Sequence, residues 1–346
     1  MEGERAVKAE DILELSGPAG AGKLMPGGPH EIRRTFRKLV ALWHPDHNPD
    51  PRAAAVFRHL VALRDLALGR SGAGRTGQIG AGQEEILTAR DGRRFRTRVH
   101  YRHEGDAGTL LVGARAISHM IPGGNRDLAR LEEDAVRGFR FADADMAAQM
   151  AWALPALLEV RALRDDATLL IYERPEGEVV LADLLDAFGP LPPEHAAWLG
   201  SGLLNLAAWL SWAGLFHGGI GPDSVLVNPD THSVRLVGGW AFSGRLGSRP
   251  AALPNRTLDL MPALAVKGAV AEESLQLELI RRTILESLGD GAGAHPGRIG
   301  VPAPLADFLR LPSAADGISD YRAWQEALVR AWGHRRFVAY PHRLSI

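Results

Sequence analysis

One segment near the middle of the chain holds residue types that carry proton or phosphate chemistry. It runs from His217 to Val227 and places an imidazole, the Asp223 carboxylate and the Ser224 hydroxyl between a long apolar helical pattern and a short β pattern. Asp223 could serve as a base, but a base must first reach the proton it removes. We therefore expect Asp223 to be a solvated loop residue and His217 to brace the loop.

A second segment, Gly17–Leu24, nearly matches the phosphate-binding loop of nucleotide-binding proteins. In that motif a serine or threonine follows the lysine and holds magnesium, whereas Leu24 follows Lys23 here. No apolar strand pattern precedes the segment, and the run 26–29 is Pro-Gly-Gly-Pro, which disfavours the required helix. We expect residues 16–30 to form a flexible loop rather than a nucleotide site.

The residues after that loop predict two amphipathic helices joined by a polar turn. Ile32, Phe36, Leu39, Val40 and Trp43 recur at helical spacing and draw one apolar stripe. The first helix must end at His44, because Pro45 disfavours a helical predecessor. A second apolar pattern runs over 53–67, with Asp50 and Pro51 suited to its N-cap and first position. The basic residues of the first helix lie between its apolar ones; they are Arg33, Arg34, Arg37 and Lys38.

This unit resembles the J-domain of DnaJ-type co-chaperones, in which a basic helix precedes a His-Pro-Asp loop. The matching loop residues are His44, Pro45 and Asp46, followed by Asn48 and Pro49. The resemblance covers about the first 70 residues and predicts a short first helix at 9–15. It implies that the loop tripeptide activates a DnaK-class chaperone. The basic face would then dock on an acidic surface of that chaperone, in a salt-dependent manner.

The composition of the chain limits the kinds of partner, metal site and cellular location that we expect. With 40 basic and 41 acidic residues the formal net charge is -1, so no global charge predicts a nucleic-acid or membrane partner. Cysteine is absent, which excludes disulfides and thiolate metal sites. No apolar signal segment is present, and no apolar run is long enough to span a bilayer. We expect a cytoplasmic protein without metal or cofactor.

Residues 71–83 are rich in glycine and predict a flexible linker between two domains. After it, strand patterns cover 85–90, 94–102 and 109–117, with Asp91-Gly92 as a tight turn. A helical region spans 126–154, and two more strands cover 157–163 and 168–173. The later patterns are mainly helical, with a short hairpin over 223–237. Their ranges are 180–188, 193–214, 272–288 and 321–332.

This order of elements resembles a protein kinase, with a β-rich N-lobe at 84–178 and a helical C-lobe at 179–346. The segment His217–Val227 makes the resemblance specific, because it is similar to the kinase catalytic loop His-Arg-Asp-Leu-Lys-Pro-Glu-Asn-Ile-Leu. His217, Pro222 and Leu226 match that loop outright. The fold class that we predict is therefore multidomain: a helical J-domain hairpin at 1–70 followed by an α+β, bilobal kinase-like fold.

The kinase resemblance also shows which catalytic groups are missing. Kinases need a strand lysine, a base aspartate, and an asparagine and aspartate on magnesium. No lysine lies between Lys38 and Lys267, and no acidic residue lies between Asp230 and Asp259. The glycine-rich loop would fall at 89–94, which holds a single glycine. The degenerate positions, in chain order, are Arg115 for the strand lysine, His217 as the retained histidine, Gly219 for the base, Ser224 for the asparagine and Gly238 for the metal aspartate.

These observations predict a J-domain co-chaperone fused to a pseudokinase, that is, to a kinase-like domain without catalysis. The partners would be a DnaK-class chaperone and an unidentified protein client that the second domain binds. The alternative is an unorthodox nucleotide-binding or nucleotide-transferring protein regulated by its J-domain, in which Arg115 and Asp223 replace the lost groups.

Overall fold

The computed structural model describes residues 8–26, 32, 35, 36, 39, 42, 43, 48, 50–67, 82–261, 270–290, 300–334 and 336–342. The chain divides into two compact units, Met1–Arg75 and Thr76–Ile346, which we call the N-terminal unit and the C-terminal unit. The division falls within the Gly-rich stretch 71–83.

The described part of the N-terminal unit is helical. Its helices with complete bounds are α1 (Ala9–Leu13), α2 (Gly17–Leu24) and α3 (Ala53–Ala67). The described positions 32, 35, 36, 39, 42 and 43 are also helical. The predicted apolar stripe is confirmed at its described members, because all of them are buried with residues of α1, α2 and α3. Those members are Ile32, Phe36, Leu39 and Trp43.

The expectation of a flexible loop at 16–30 is wrong over α2. Ser16 is extended at the N-cap, and Pro18 stands in the first turn, where its missing N–H costs no hydrogen bond. Ala21 and Met25 are 0% and 1% exposed. Burial of this apolar face compensates for the glycines, each of which costs roughly 1 kcal/mol relative to alanine within a helix.

The first half of the C-terminal unit is an antiparallel sheet. Five strands lie in the order β3–β4–β5–β7–β6, and β1 pairs with β2 as a hairpin. The predicted turn at Asp91-Gly92 is confirmed, since the Gly92 N–H donates to the Ala89 carbonyl at 2.9 Å. The strands are β1 (Gln83–Thr88), β2 (Arg94–Val99), β3 (Tyr101–Glu104), β4 (Thr109–Val112), β5 (Ala116–Ile121), β6 (Leu157–Ala162) and β7 (Thr168–Glu173).

Both faces of this sheet are covered. The hairpin β1–β2 folds back so that Ala89 bridges Leu163 at the far edge. It thereby encloses a small core that includes Val99, Leu111 and Leu169. The opposite face joins the main core of the C-terminal unit. Helices α4 (Arg126–Arg137) and α5 (Ala144–Met150) connect β5 to β6.

The second half is mainly helical, as predicted. Gly200 of α7 leaves room for Trp324 of α11, whose indole N–H donates to the Ser201 hydroxyl at 3.0 Å. The helices are α6 (Leu181–Phe188), α7 (Pro193–Ala213), α8 (Asn255–Leu258), α9 (Glu273–Ser287), α10 (Ala303–Arg310) and α11 (Gly317–Trp332). The short strands are β8 (Val179–Val180), β9 (Leu215–His217), β10 (Val225–Asn228), β11 (Ser233–Leu236) and β12 (Ser243–Arg245).

Most strand and helix predictions agree with these bounds to within a few residues, but some do not. The predicted strand 94–102 is divided at His100 into β2 and β3, which pair with different strands, and the short strands β8, β9 and β12 were not predicted. The predicted strand 109–117 is divided by a turn at 113–115 into β4 and β5. Helices α8 and α10 were not predicted, because neither is long enough to show a clear period. Within the described ranges, no helix has the length and apolar content that crossing a bilayer requires.

Candidate functional site

The candidate site of the N-terminal unit is the loop His44–Asp46 with its basic face, and these residues lie outside the described ones. The same holds for Arg33, Arg34, Arg37 and Lys38. The structure does describe hydrogen bonds of the residues that follow the loop in sequence. The Asn48 amide donates to the Leu42 carbonyl at 2.8 Å and its oxygen accepts the Asp50 N–H at 2.9 Å. The Asp50 carboxylate accepts the Arg52 N–H at 2.9 Å, in the role of the predicted N-cap.

The candidate site of the C-terminal unit lies where the sheet meets the helical half, and His217 braces it as predicted. His217 is fully buried. Its Nε2 donates to the Gly238 carbonyl at 3.1 Å, and its Nδ1 accepts the Gly219 N–H at 3.3 Å. Burial lowers the pKa of His217 to about 3. The imidazole is therefore neutral and uses both nitrogens to join two backbone segments.

Those two backbone segments approach each other closely, because each has glycine at the contact. A methyl group on Gly219 would lie 2.9 Å from Cα of Gly239 and 3.1 Å from its carbonyl oxygen. A methyl on Gly239, where φ is +80°, would lie 2.7 Å from the Gly219 oxygen. Gly238 donates its N–H to the Ser224 carbonyl at 3.0 Å. Gly219, the position predicted for the base, thus packs against backbone, and a Cβ on Gly238, the position predicted for the metal ligand, would lie 3.2 Å from Cα of Ser224.

The strand residue that contacts helix α4 is His119, and Arg115 does not lie on a strand as predicted but on the surface. Arg115 lies in the exposed turn between β4 and β5. His119 lies on β5, and its Nδ1 contacts the buried Glu132 carboxylate of α4 at 2.8 Å. The Tyr172 hydroxyl donates to the same carboxylate at 2.7 Å. A histidine and a tyrosine thus hold the glutamate.

The loop that reaches the helical half is 105–108, between β3 and β4. The segment 89–94, which the sequence aligned with the glycine-rich loop, includes the turn between β1 and β2. The Asp106 carboxylate accepts the Asn255 backbone N–H at 2.8 Å and also bonds the Asn255 amide. Ala107 is 2% exposed and packs in one cluster with Ala241 and Phe242, just after the glycine pair. The loop is therefore fixed against the helical half instead of arching over an open space.

A polar group beside this loop completes the contact between the halves. His103, at the end of β3, meets the Asp183 carboxylate of α6 at 3.1 Å, and its other nitrogen lies 3.9 Å from Asp223. Asp183 is 8% exposed. The nearby Arg174 guanidinium is also buried and donates to the carbonyls of Glu178 and Gly113 at 2.7 Å. Side chains of the chain itself thus occupy the contact between the sheet and the helical half. We call this contact, which includes His103, Asp183 and Arg174, the seam.

The resembled family implies a magnesium ion, and the residues present do not fit one. Magnesium prefers carboxylate, amide and phosphate oxygens in octahedral geometry. Glycines stand at the base and metal positions, and Ser224 uses its hydroxyl to cap the local turn through Gly221 at 2.9 Å. Within the described ranges, no three His, Asp or Glu side chains converge as a metal site would require.

Sequence reasoning missed His119, Tyr172 and the 105–108 loop. For His119 a signal existed, because it lies in the segment Ala116–Ile121, whose burial alternates along the strand between Ile117 and Ile121. For the loop, Gly105 and Gly108 flank the Asp-Ala pair. Nothing local shows that Asp106 will meet Asn255, because the two residues are 149 positions apart.

Comparison with known proteins finds similarity among solved structures. No protein-family model matches the chain, and no curated protein matches it. Among solved structures, the chain is similar to that described as the structure of vaccinia related kinase 3. The two share 14% sequence identity and a TM-score of 0.49, over 75% of this chain and 93% of the other.

Proposed function

We propose that this protein is a J-domain co-chaperone whose C-terminal unit is a kinase-like scaffold that binds a client and transfers no phosphate. The N-terminal unit would stimulate ATP hydrolysis by a DnaK-class chaperone through His44, Pro45 and Asp46. The C-terminal unit would hold the client, and the linker would keep both near each other, which raises their effective concentration.

The scaffold half of the proposal rests on one observation: the backbone of Gly219 packs against Gly239 where a kinase needs carboxylates. The seam beside it is occupied by His103 with Asp183. Removal of a single electrostatic group typically costs roughly 3–4 kcal/mol of barrier. Here the lysine, the base and both metal ligands are replaced together, so phosphate transfer by the usual route has no support.

The co-chaperone half rests on the motif and on its helical surroundings. The buried members of the apolar stripe, Phe36 and Trp43 among them, share a core with Val56 and Leu60 of α3. This packing is what a helix before the tripeptide and a helix after it would need. In the sequence, the tripeptide lies between these two helical segments, and the basic residues alternate with the apolar ones of the first.

The test is steady-state ATP hydrolysis by a DnaK-class chaperone in the presence of the full chain. The wild type should stimulate hydrolysis, and His44→Gln should abolish that stimulation while circular dichroism stays unchanged. His334→Gln, at an exposed histidine of the C-terminal unit, is the matched control and should behave as the wild type. Equal stimulation by His44→Gln and wild type would reject the co-chaperone assignment.

The scaffold assignment has a separate test, so that either half can fail alone. Immobilised full-length protein should capture its client from an extract of its source equally well with and without magnesium and ATP. Client capture that needs magnesium and ATP, or phosphate incorporated into the captured protein, would favour the nucleotide-transferring alternative.

A further inference from the structure

The C-terminal segment 336–342 packs against a cluster of aromatic and histidine rings that the proposed function does not use. The rings come from the end of α6, the start of α7, the turn between β10 and β11, and the segment itself. They belong to Phe188, His195, Trp198, His232, Phe337 and Tyr340.

His232 is the middle layer of a ring stack. Its imidazole lies 5.0 Å from the Trp198 ring, at an interplanar angle of 6°, and 4.4 Å from the Phe337 ring, at 22°. Its backbone φ is +58°, a left-handed conformation that few residues other than glycine adopt. Phe337 is 66% exposed, so only its inner face is covered. The segment is thus attached by ring faces and by a hydrogen bond between the His232 ring and the Val338 backbone, which favours the charged form of His232 and opposes the effect of burial on its pKa.

His195 lies beneath this stack and is 2% exposed. Its Nδ1 accepts the Trp198 indole N–H at 3.0 Å. An indole nitrogen can only donate, so this bond requires an unprotonated Nδ1. The His195 ring also meets Tyr340 edge to face, with centroids 5.1 Å apart. A proton on Nδ1 would set two N–H groups against each other and disturb both contacts.

The charged and titratable groups around the two imidazoles come from each packed element. Glu194 of α7 favours the charged form of His195. Tyr340 and His342 lie on the segment, with ring centroids 5.5 Å apart. Burial lowers the pKa of both His195 and His232, and their ring centroids are only 5.7 Å apart. At neutral pH both rings are uncharged, and acid would place two like charges side by side.

We propose that residues 336–342 form an acid-released clasp, in which proton uptake by His195 and His232 detaches the segment and uncovers the aromatic surface around Phe188 and Trp198. This inference does not rest on the co-chaperone or the scaffold assignment. The coupling is direct: the attached state holds both rings neutral, whereas the detached state lets both take up protons, so falling pH favours detachment.

A spin label on the segment tests the clasp in the full chain. The chain has no cysteine, so Ala339→Cys at an exposed position gives a single labelling site. The nitroxide spectrum should be immobile at pH 8 and gain a mobile component by pH 5.5. Below about pH 6.5, the ordinary pKa of a free histidine, the mobile-to-immobile ratio should rise by up to about tenfold per pH unit for one coupled proton and up to about a hundredfold for two; above it the ratio should stay nearly constant.

Two variants test whether His195 and His232 are the residues that take up the protons. His195→Asn keeps an acceptor for the Trp198 N–H but cannot be protonated, and it should reduce the rise per pH unit by about tenfold. His232→Asn makes the same test if the first variant does not fold. His334→Asn, outside the cluster, should titrate as the parent does. A label already mobile at pH 8, a ratio that does not change between pH 8 and 5.5, or variants at 195 and 232 that titrate as the parent would overturn the proposal.

Discussion

Restoring the base aspartate by Gly219→Asp should destabilise the protein without creating a kinase. The new Cβ would lie 2.9 Å from Cα of Gly239, 3.1 Å from its carbonyl oxygen and 3.3 Å from a ring carbon of Phe242. Two of these three neighbours are backbone atoms, which cannot swing away as a side chain tip can. Overpacking of this kind costs about 1–3 kcal/mol.

The measurement is thermal unfolding of the full chain, followed for the transition of the C-terminal unit. For a unit of this size each kcal/mol shifts the melting temperature by about 2 °C, so Gly219→Asp should melt about 2–6 °C lower. Gly124→Asp is the matched control, because a Cβ at Gly124 meets no atom within 4 Å. A Gly219→Asp protein as stable as this control, or one that hydrolyses magnesium ATP, would show that the backbone contact described here is wrong.

Two further predictions concern the same buried region. Tyr172→Phe removes one donor from the Glu132 carboxylate and should lower the free energy of unfolding by about 1.5–3 kcal/mol in urea denaturation; a cost no larger than that of the control Tyr321→Phe would mean that the hydroxyl is not bonded to Glu132. His217 should make the protein acid-sensitive. Its folded pKa is about 3 and its unfolded pKa about 6.5, so its contribution is full above pH 6.5 and declines as pH falls. The loss should be about 1.4 kcal/mol at pH 5.5 and absent in His217→Asn; an equal acid dependence in that variant would assign the effect elsewhere.

Much of the fold could be predicted because the spacing of apolar residues along the chain indicates where helices and strands form. The stripe from Ile32 to Trp43 has helical spacing, and its described members are buried. The strand at Thr168–Glu173 was predicted with its exact bounds. The expectation that His217 braces its loop is met, because its imidazole bonds the Gly238 carbonyl and links the two segments. These features depend on residues near in sequence or on a motif with fixed spacing.

The remaining features depend on tertiary contacts that no local pattern contains. The turn at 113–115 divides one apolar run into two strands, so that Arg115 lies in the turn and His119 contacts helix α4. The Gly/Ala-rich segment 17–24 is helical because Ala21 is buried in the core of the N-terminal unit. His103 and Asp183 are 80 residues apart, and only the folded chain brings them together.

The claim most open to a direct test is that the seam of the C-terminal unit is filled by its own residues. Calorimetric titration of the full chain with ATP, at saturating magnesium, measures this without any variant. We expect no saturable heat of ATP binding, which corresponds to a Kd weaker than about 1 mM, or to a binding free energy smaller than about 4 kcal/mol. Saturable one-to-one binding with a micromolar Kd would contradict it.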